Sequence, residues 1–291
     1  MIKNKTEQKI MVTGAKGYIG RNFINKYGNE YHLNPVSLST SKNLDFSNVS
    51  TVLHLSALVH QTKKLPDKQY FSVNTEQTIS LARKAKNSGV RHFIFYSTVA
   101  VYGVHGDFSE HKKLINEKST CNPRSAYAKS KHDAEKALLS LEDDQFVVSI
   151  IRPPLVYGKN APGNMLRLKK LVKLFPILPF GYANNHRSMV YIDNLTYFTK
   201  LVIDKSVSGI FIPQDEDKYS IKEIVKTMAE FSGKKIFLIK FPIGILWILA
   251  RIKPQMIASL YGTFVFDSTT SNKKTGYNAK TTTKDGLRLI S

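Results

Sequence analysis

Thr13-Gly14-Ala15-Lys16-Gly17-Tyr18-Ile19-Gly20, directly after the apolar run Ile10 to Val12, decides the fold of this chain. Glycines at this spacing, between an apolar strand and an amphipathic stretch (Tyr18, Ile19, Phe23, Ile24), predict a strand, a tight turn and a helix. Gly14 permits the turn, Gly17 lets backbone approach a phosphate, and Gly20 lets the helix pack on the sheet. The free N–H groups at the start of the helix then face an anion, which predicts a cradle for the pyrophosphate of a dinucleotide.

Further strand-like runs follow at 35–38, 51–55, 92–96 and 146–151, after the first at 9–13, with helical stretches between several of them. Residues 74–88 carry Ile79, Leu81, Ala82 and Ala85 at helical spacing and stop at Gly89. Alternation of this kind predicts an α/β fold, a Rossmann-like doubly wound parallel sheet. Beyond Ile151 the prolines 153, 154, 162, 176 and 179 break the chain into loops and short helices, which predicts a smaller C-terminal α/β substrate domain. The expected division is a dinucleotide-binding domain over 1–155 that also receives 186–212, and a substrate domain made of 156–185 and 213–291.

The composition narrows the class. A hydrophobic content of 42% supports a buried core, and the single cysteine, Cys121, excludes an intrachain disulfide. The polar start, MIKNKTEQK, lacks the apolar segment of a secretory signal, so a cytoplasmic location is expected. The net charge of +21 is spread over separate doublets (Lys63-Lys64, Lys112-Lys113, Lys169-Lys170, Lys234-Lys235, Lys273-Lys274). That scatter predicts a solvated surface and no nucleic-acid partner. The apolar run 241–250 is too short to span a bilayer. The longer segment 241–261, with Trp247 and Leu249 among its apolar residues and Lys240, Arg251 and Lys253 around it, reads as core or as a helix lying peripherally on an anionic membrane face.

The chemistry is carried by Tyr127 and Lys131, four apart in the helical stretch SAYAKSKHDAEKALL and so on one helix face. An ammonium beside a phenol favours the phenolate, so the tyrosine is expected to titrate below its ordinary range and to exchange a proton with an alcohol or ketone. Ser97 and Thr98 end the apolar run HFIFYST, where the C-terminal end of a strand places a hydroxyl beside a bound dinucleotide.

The ordered set TGAKGYIG, HLSALVH, VNTEQT, FIFYSTVAVYG, SAYAKSK, IRPPLVYG and RSMVYIDNL resembles the extended short-chain dehydrogenase/reductase family of nucleotide-sugar epimerases, dehydratases and reductases, through nearly the whole chain. The resemblance implies that Tyr127 is the acid/base, that Lys131 binds nicotinamide-ribose hydroxyls, and that Thr98 hydrogen-bonds the reacting sugar oxygen. It implies cofactor contacts from Gly14, Lys16, Gly17, Tyr18, Ile19, Gly20, Ser39, Asp45, Phe46, Leu55, Ala57, Asn74, Ser97 and Pro154, with Asp45 on adenine. It also implies that Asn164 and Arg187 contact a UDP-sugar, and that the enzyme is a homodimer through helices flanking Tyr127. Leu155 departs from the pattern, since many relatives carry asparagine there.

The second strand runs out in Ser37-Leu38-Ser39-Thr40-Ser41, without the acid that commonly binds ribose hydroxyls, while Lys16, Arg21 and Lys42 stand near. NADPH is therefore the favoured cofactor and NAD(H) the alternative. An exchangeable reduced cofactor suits a reductase, and the similarity to the bacterial polysaccharide subgroup implies reduction of a UDP-2-acetamido-2,6-dideoxy-4-hexulose at carbon 4. A UDP-hexose 4-epimerase with tightly held NAD shares every catalytic residue. A dehydratase is disfavoured by Val99 and Ala100, where that chemistry needs an acid. A dinucleotide sensor without turnover is disfavoured by the presence of Thr98, Tyr127 and Lys131 together.

Overall fold

The computed structural model describes residues 8–39, 43–59, 65–103, 114–240, 248–249 and 251–290. The chain opens with β1 (Lys9–Thr13), α1 (Tyr18–Tyr27), β2 (His32–Val36) and β3 (Val49–His54). Next come α2 (Asp67–Phe71), a π-helical turn (Ser72–Glu76), α3 (Gln77–Asn87), β4 (His92–Tyr96), a 3₁₀ turn (Val99–Tyr102), α4 (Ala126–Leu139) and β5 (Val147–Ile151). The remainder is β6 (Leu155–Tyr157), α5 (Asn164–Leu174), β7 (Ile177–Leu178), β8 (Met189–Tyr191), α6 (Ile192–Lys205), β9 (Gly209–Phe211), α7 (Ile221–Phe231), β10 (Phe237–Leu238), α8 (Pro254–Tyr261), α9 (Thr269–Thr275) and α10 (Thr283–Arg288).

Six parallel strands form one sheet in the order β2-β1-β3-β4-β5-β9. Alternate residues serve its two faces. Ile10, Val12 and Ile94 join Phe23, Phe198 and Val202 of α1 and α6, whereas Met11, Phe93 and Phe95 join Leu81, Ala85 and Leu138 of α3 and α4. Helices on both faces are what a parallel sheet needs to bury its apolar runs. The strand order reverses between β1 and β3, and the crevice at the carboxyl ends there is the usual ligand position of such sheets.

Three element boundaries differ from the sequence expectation. β2 spans His32–Val36 rather than 35–38 and contains Pro35, which it tolerates because β2 is an edge strand with a free N–H side. β3 starts two residues early, at Val49. The helix expected over 74–88 is the end of a longer helical run from Asp67, interrupted by the π-helical turn that holds Asn74.

A second cluster joins α5, α7 and the β6–β8 pair, with Met165, Leu168, Met189, Ile224 and Leu287 among its buried members. Asp215, just past β9, ties the two clusters together. It accepts from the Tyr157 hydroxyl (2.7 Å), Asn194 Nδ2 (2.8 Å) and the Tyr191 N–H (3.1 Å), and Asn194 also reaches Thr281 of the C-terminal segment. Of the segment 241–261, read as core or as a peripheral helix, residues 241–247 and 250 lie outside the described residues, and 254–261 form α8. Among the described residues no helix is long and apolar enough to cross a membrane.

Candidate active site

The glycine turn has the shape that its sequence demands. Gly14 sits at φ +68, and a Cβ there would meet the Leu55 carbonyl carbon and Ser56 nitrogen at 2.7 Å. A Cβ on Gly20 would meet the Gly14 oxygen at 2.5 Å and the Ala15 Cα at 2.9 Å, so Gly20 lets α1 pack against the turn itself. α1 begins at Gly17 without a side-chain cap, which leaves its first N–H groups for an anion. This bare cradle fits a dinucleotide pyrophosphate. Tyr18 and Ile19 start the helix, with the Tyr18 hydroxyl buried against Gly158 and Ile19 packed on both apolar clusters.

Beside the turn lies a cavity of about 370 Å³ lined by Gly14, Ala15, Lys16, Pro35, Val36, Ser37, Leu38, Ser39, Ser56, Val73 and Gln77. The Ser37 and Ser39 hydroxyls meet at 3.1 Å on its wall. Among the described residues no acid lines it. Asp45 is not among the lining residues; its carboxylate accepts the Ser47 N–H at 2.8 Å and stands 3.9 Å from Lys9 Nζ. Hydrogen bonds from Ser47 hold that carboxyl below its usual range. Phe46 packs on the apolar cluster beneath α3.

The loop after β3 is fixed from below. Leu55 N–H donates to the Thr13 carbonyl and Ser56 N–H to the Thr13 hydroxyl. Asn74 is fully buried, and it grips both backbone groups of Leu58 (2.8 and 3.0 Å) and the Ser130 hydroxyl of α4 (3.1 Å). Its amide is thus engaged in joining the Ala57-Leu58 loop to the helix of Tyr127. His54 bridges the Thr13 and Thr78 hydroxyls at 2.7 and 2.9 Å, and burial keeps its imidazole neutral by pushing it down to about 3.

Thr98, Tyr127 and Lys131 converge at the end of β4. Thr98 caps the 3₁₀ turn by accepting the Ala100 N–H at 3.2 Å, and its side chain is hydrogen-bonded to the Tyr127 hydroxyl. Ser125 caps α4 through the Ala128 N–H and so sets the start of the helix that presents Tyr127. Lys131 is only 2% exposed; its ammonium donates to the Tyr96 carbonyl at 2.7 Å and lies 4.4 Å from the centre of the Phe95 ring.

The electrostatics differ from the sequence expectation. Burial pushes the Tyr127 phenol up to about 12, with the Thr98 hydroxyl working in the opposite direction, and burial pulls Lys131 down to about 7 against the attraction of Glu135. Tyr127 is therefore not acidified in this state. The low dielectric around α4 disfavours both charged forms, and the ammonium is spent on a backbone carbonyl.

A neighbouring network, which the sequence reading did not single out, joins α4 to the end of β5. Arg152, at the end of β5, holds Glu135 with a fork, Nε to Oε1 at 2.9 Å and Nη2 to Oε2 at 2.6 Å, while Nη1 donates to the Tyr102 hydroxyl at 2.8 Å. Glu135 lies one turn beyond Lys131, and Tyr102 closes the 3₁₀ turn that Thr98 caps. The bridge therefore ties the helix of Tyr127 to the turn of Thr98. A carboxylate continuing the row Tyr127, Lys131, and an arginine breaking an apolar strand end, were the available signals.

The other expected residues are spread around this centre. Ser97 and Pro154 are buried beside the ends of β4 and β5, and Leu155 packs on the α5–α7 cluster. Asn164 is exposed at the first turn of α5, after Gly163 at φ +89. Arg187 is partly buried, its N–H bonded to the Tyr219 carbonyl at 3.1 Å, and burial pulls its guanidinium down to about 10.

Residues 10–211 match the model of the NAD dependent epimerase/dehydratase family. The chain is 28% identical to a UDP-glucose 4-epimerase of Vibrio cholerae over 98% of this chain and 94% of that protein. It is 23% identical to a UDP-2-acetamido-2,6-beta-L-arabino-hexul-4-ose reductase of Pseudomonas aeruginosa over 88% of this chain and 64% of that protein. In fold it is similar to the UDP-glucuronic acid 4-epimerase of Bacillus cereus solved with NAD, at a TM-score of 0.76 and 20% identity over 97% of each chain. With the family model spanning the glycine turn, the Thr98–Tyr127–Lys131 centre and the strand end at Arg152, the chain belongs to the NAD dependent epimerase/dehydratase family.

Proposed function

We propose that this chain is an NADPH-dependent reductase of the 4-keto group of a UDP-2-acetamido-2,6-dideoxy-4-hexulose, giving a UDP-N-acetyl-6-deoxyhexosamine of fucosamine or quinovosamine type for surface polysaccharide. The observation that carries the reading is the ribose-side cavity with Lys16, Ser37 and Ser39 on its wall and no described acid, a setting that receives a ribose phosphate. Solved structures of this fold hold NAD or NADPH.

When bound, a reduced nicotinamide would supply the hydride for carbon 4. Tyr127 gives its phenolic proton to the carbonyl oxygen as the alcohol forms, so a donor held neutral, up near 12, has the right protonation state before the step. Thr98, already bonded to the phenol, is placed to hold the same oxygen through its hydroxyl. Lys131 stabilises the phenolate left behind when its ammonium turns from the Tyr96 carbonyl toward Tyr127. Asn164 and Arg187 are assigned to the nucleotide and its diphosphate, for which a guanidinium is suited.

The test is absorbance at the reduced-nicotinamide band on mixing the protein with a freshly generated UDP-4-keto-6-deoxy-N-acetylhexosamine and NADPH or NADH. Stoichiometric oxidation, faster with NADPH, is expected; binding of the cofactor without oxidation overturns the reading. The second reading is a UDP-hexose or UDP-N-acetylhexosamine 4-epimerase with tightly bound NAD, favoured by the near full-length likeness to the Vibrio cholerae epimerase. It predicts NAD released on denaturation and interconversion of UDP-hexoses without added cofactor.

A further inference from the structure

The α5 end and the β7–β10 ribbon form a face whose pattern is unusual for a water-exposed surface. In the ribbon Ile177 pairs with Phe237 and Leu178 with Leu238. Leu178 and Leu238 turn into the α5–α7 core, as one side of a half-buried ribbon should. The opposite side should be polar, yet it presents Ile177, Phe237 and Ile239, and the chain entering it from α5 presents Leu174 and Phe175. These five side chains are between 47% and 69% exposed. Backbone bonds from Phe237 to Pro176 (2.8 Å) and from Ile239 to Leu178 (3.0 Å) hold them in one patch. Grouped exposure of this kind marks an interaction site, unlike the scattered apolar residues of ordinary surfaces.

The segments that build the patch carry charge of one sign. No acidic residue occurs between Asp144 and Asp193 or between Glu230 and Asp267, the segments that supply α5, β7 and β10. Lys170, Lys173, Lys234, Lys235 and Lys240 are exposed within them, with the Lys234 ammonium on the Lys173 carbonyl and that of Lys240 5.7 Å from the centre of the Tyr182 ring.

We propose that this face docks on the surface of an anionic lipid bilayer, its apolar side chains entering the headgroup boundary and its lysines meeting lipid phosphates. Aliphatic and aromatic residues ringed by lysine are the composition that such surfaces bind. A second copy of the chain is a poorer occupant, because a two-fold pairing would set the two basic rims against each other. α5 connects the patch to the candidate substrate site: its 11 residues place Asn164 about 15 Å from Leu174. Docking would hold the sugar-binding cleft close to the membrane without entering it.

The test is flotation of the full chain with vesicles of phosphatidylcholine alone and of phosphatidylcholine mixed with phosphatidylglycerol. It is run at low salt and at about 0.5 M salt, where the Debye length falls to about 4 Å. Recovery on the anionic vesicles at low salt should exceed that on the neutral ones at least about tenfold, and should fall about tenfold in Ile177→Ser/Phe237→Ser and in Lys170→Glu/Lys173→Glu/Lys235→Glu. Circular dichroism melting should be unchanged in both variants, and the lysine variant alone carries the test if the apolar one misfolds. Equal recovery on both vesicle types, no recovery on either, or full binding by a folded variant overturns the proposal. A wild-type dimer that Ile177→Ser/Phe237→Ser converts to monomer in light scattering also overturns it and assigns the face to a second copy.

Discussion

Glu135 and Asp215 are carboxylates buried to the same depth, each 1% exposed, and the protein treats them in opposite ways. Glu135, on α4 one turn beyond Lys131, is hydrogen-bonded by His132 (3.2 Å) and gripped by the Arg152 fork, and these hold its carboxyl below the usual range despite its burial. Asp215, where the sheet meets the smaller cluster, has only neutral donors, and burial pushes it up to about 6. The donor set decides the outcome: the uncharged donors around Asp215 do not offset its desolvation, whereas His132 and the Arg152 guanidinium together offset that of Glu135. The candidate active site is thus built around a permanent charge pair. The junction region is built around a carboxyl that takes up a proton under mildly acidic conditions.

Breaking the pair at one end should have the largest effect. Arg152→Leu leaves Glu135 buried without its counter-charge and is expected to cost about 3–5 kcal/mol of stability, read as a lowered midpoint in urea. A loss of less than about 1 kcal/mol would mean that water reaches Glu135, and the contrast with Asp215 would disappear.

The junction should answer to pH. Because Asp215 binds its proton more tightly folded than unfolded, its contribution grows as pH falls through about 6 and is complete below the ordinary carboxylate range, reaching about 3 kcal/mol at most. Glu135 works in the other direction, adding stability above its unfolded range and losing it as pH falls. Asp215→Asn should flatten the part of the stability profile around pH 6. If the profile keeps its slope there, another group is responsible.

Smaller effects sharpen the catalytic side. Thr98→Val removes the hydroxyl bonded to Tyr127 and is expected to lower kcat about 10- to 100-fold with cofactor affinity intact. Glu135→Gln takes away the charge that raises the Lys131 pKa, so the alkaline limb of kcat/KM should move down by on the order of one pH unit. An unmoved limb would make Glu135 structural only. Lys16→Ala should weaken NADPH about tenfold and NADH little, as measured by fluorescence titration; equal weakening would remove Lys16 from a phosphate-reading role.

Much of the fold was written in the local pattern. The glycine turn, the five apolar runs and the row of Tyr127 and Lys131 each follow from spacing, and the doubly wound parallel sheet they imply is what the chain forms, with β9 added at one edge. What escaped the sequence depends on partners far apart along the chain. Arg152 and Glu135 are 17 positions apart, and nothing between them announces the fork. The acidified tyrosine was a local inference from two residues on one helix face. Burial overturned it, and burial is a property of the whole fold.

The most direct measurement of the central claim is hydride transfer itself, followed with NADPH deuterated at nicotinamide carbon 4 and a UDP-4-keto-6-deoxy-N-acetylhexosamine. A 4-ketoreductase acting through Tyr127 should yield a UDP-N-acetyl-6-deoxyhexosamine carrying deuterium at carbon 4 by mass spectrometry, and Tyr127→Phe should abolish that product while still binding NADPH. Absence of label from the wild-type product, together with interconversion of unlabelled UDP-hexoses on cofactor already bound, would contradict the account and identify an epimerase.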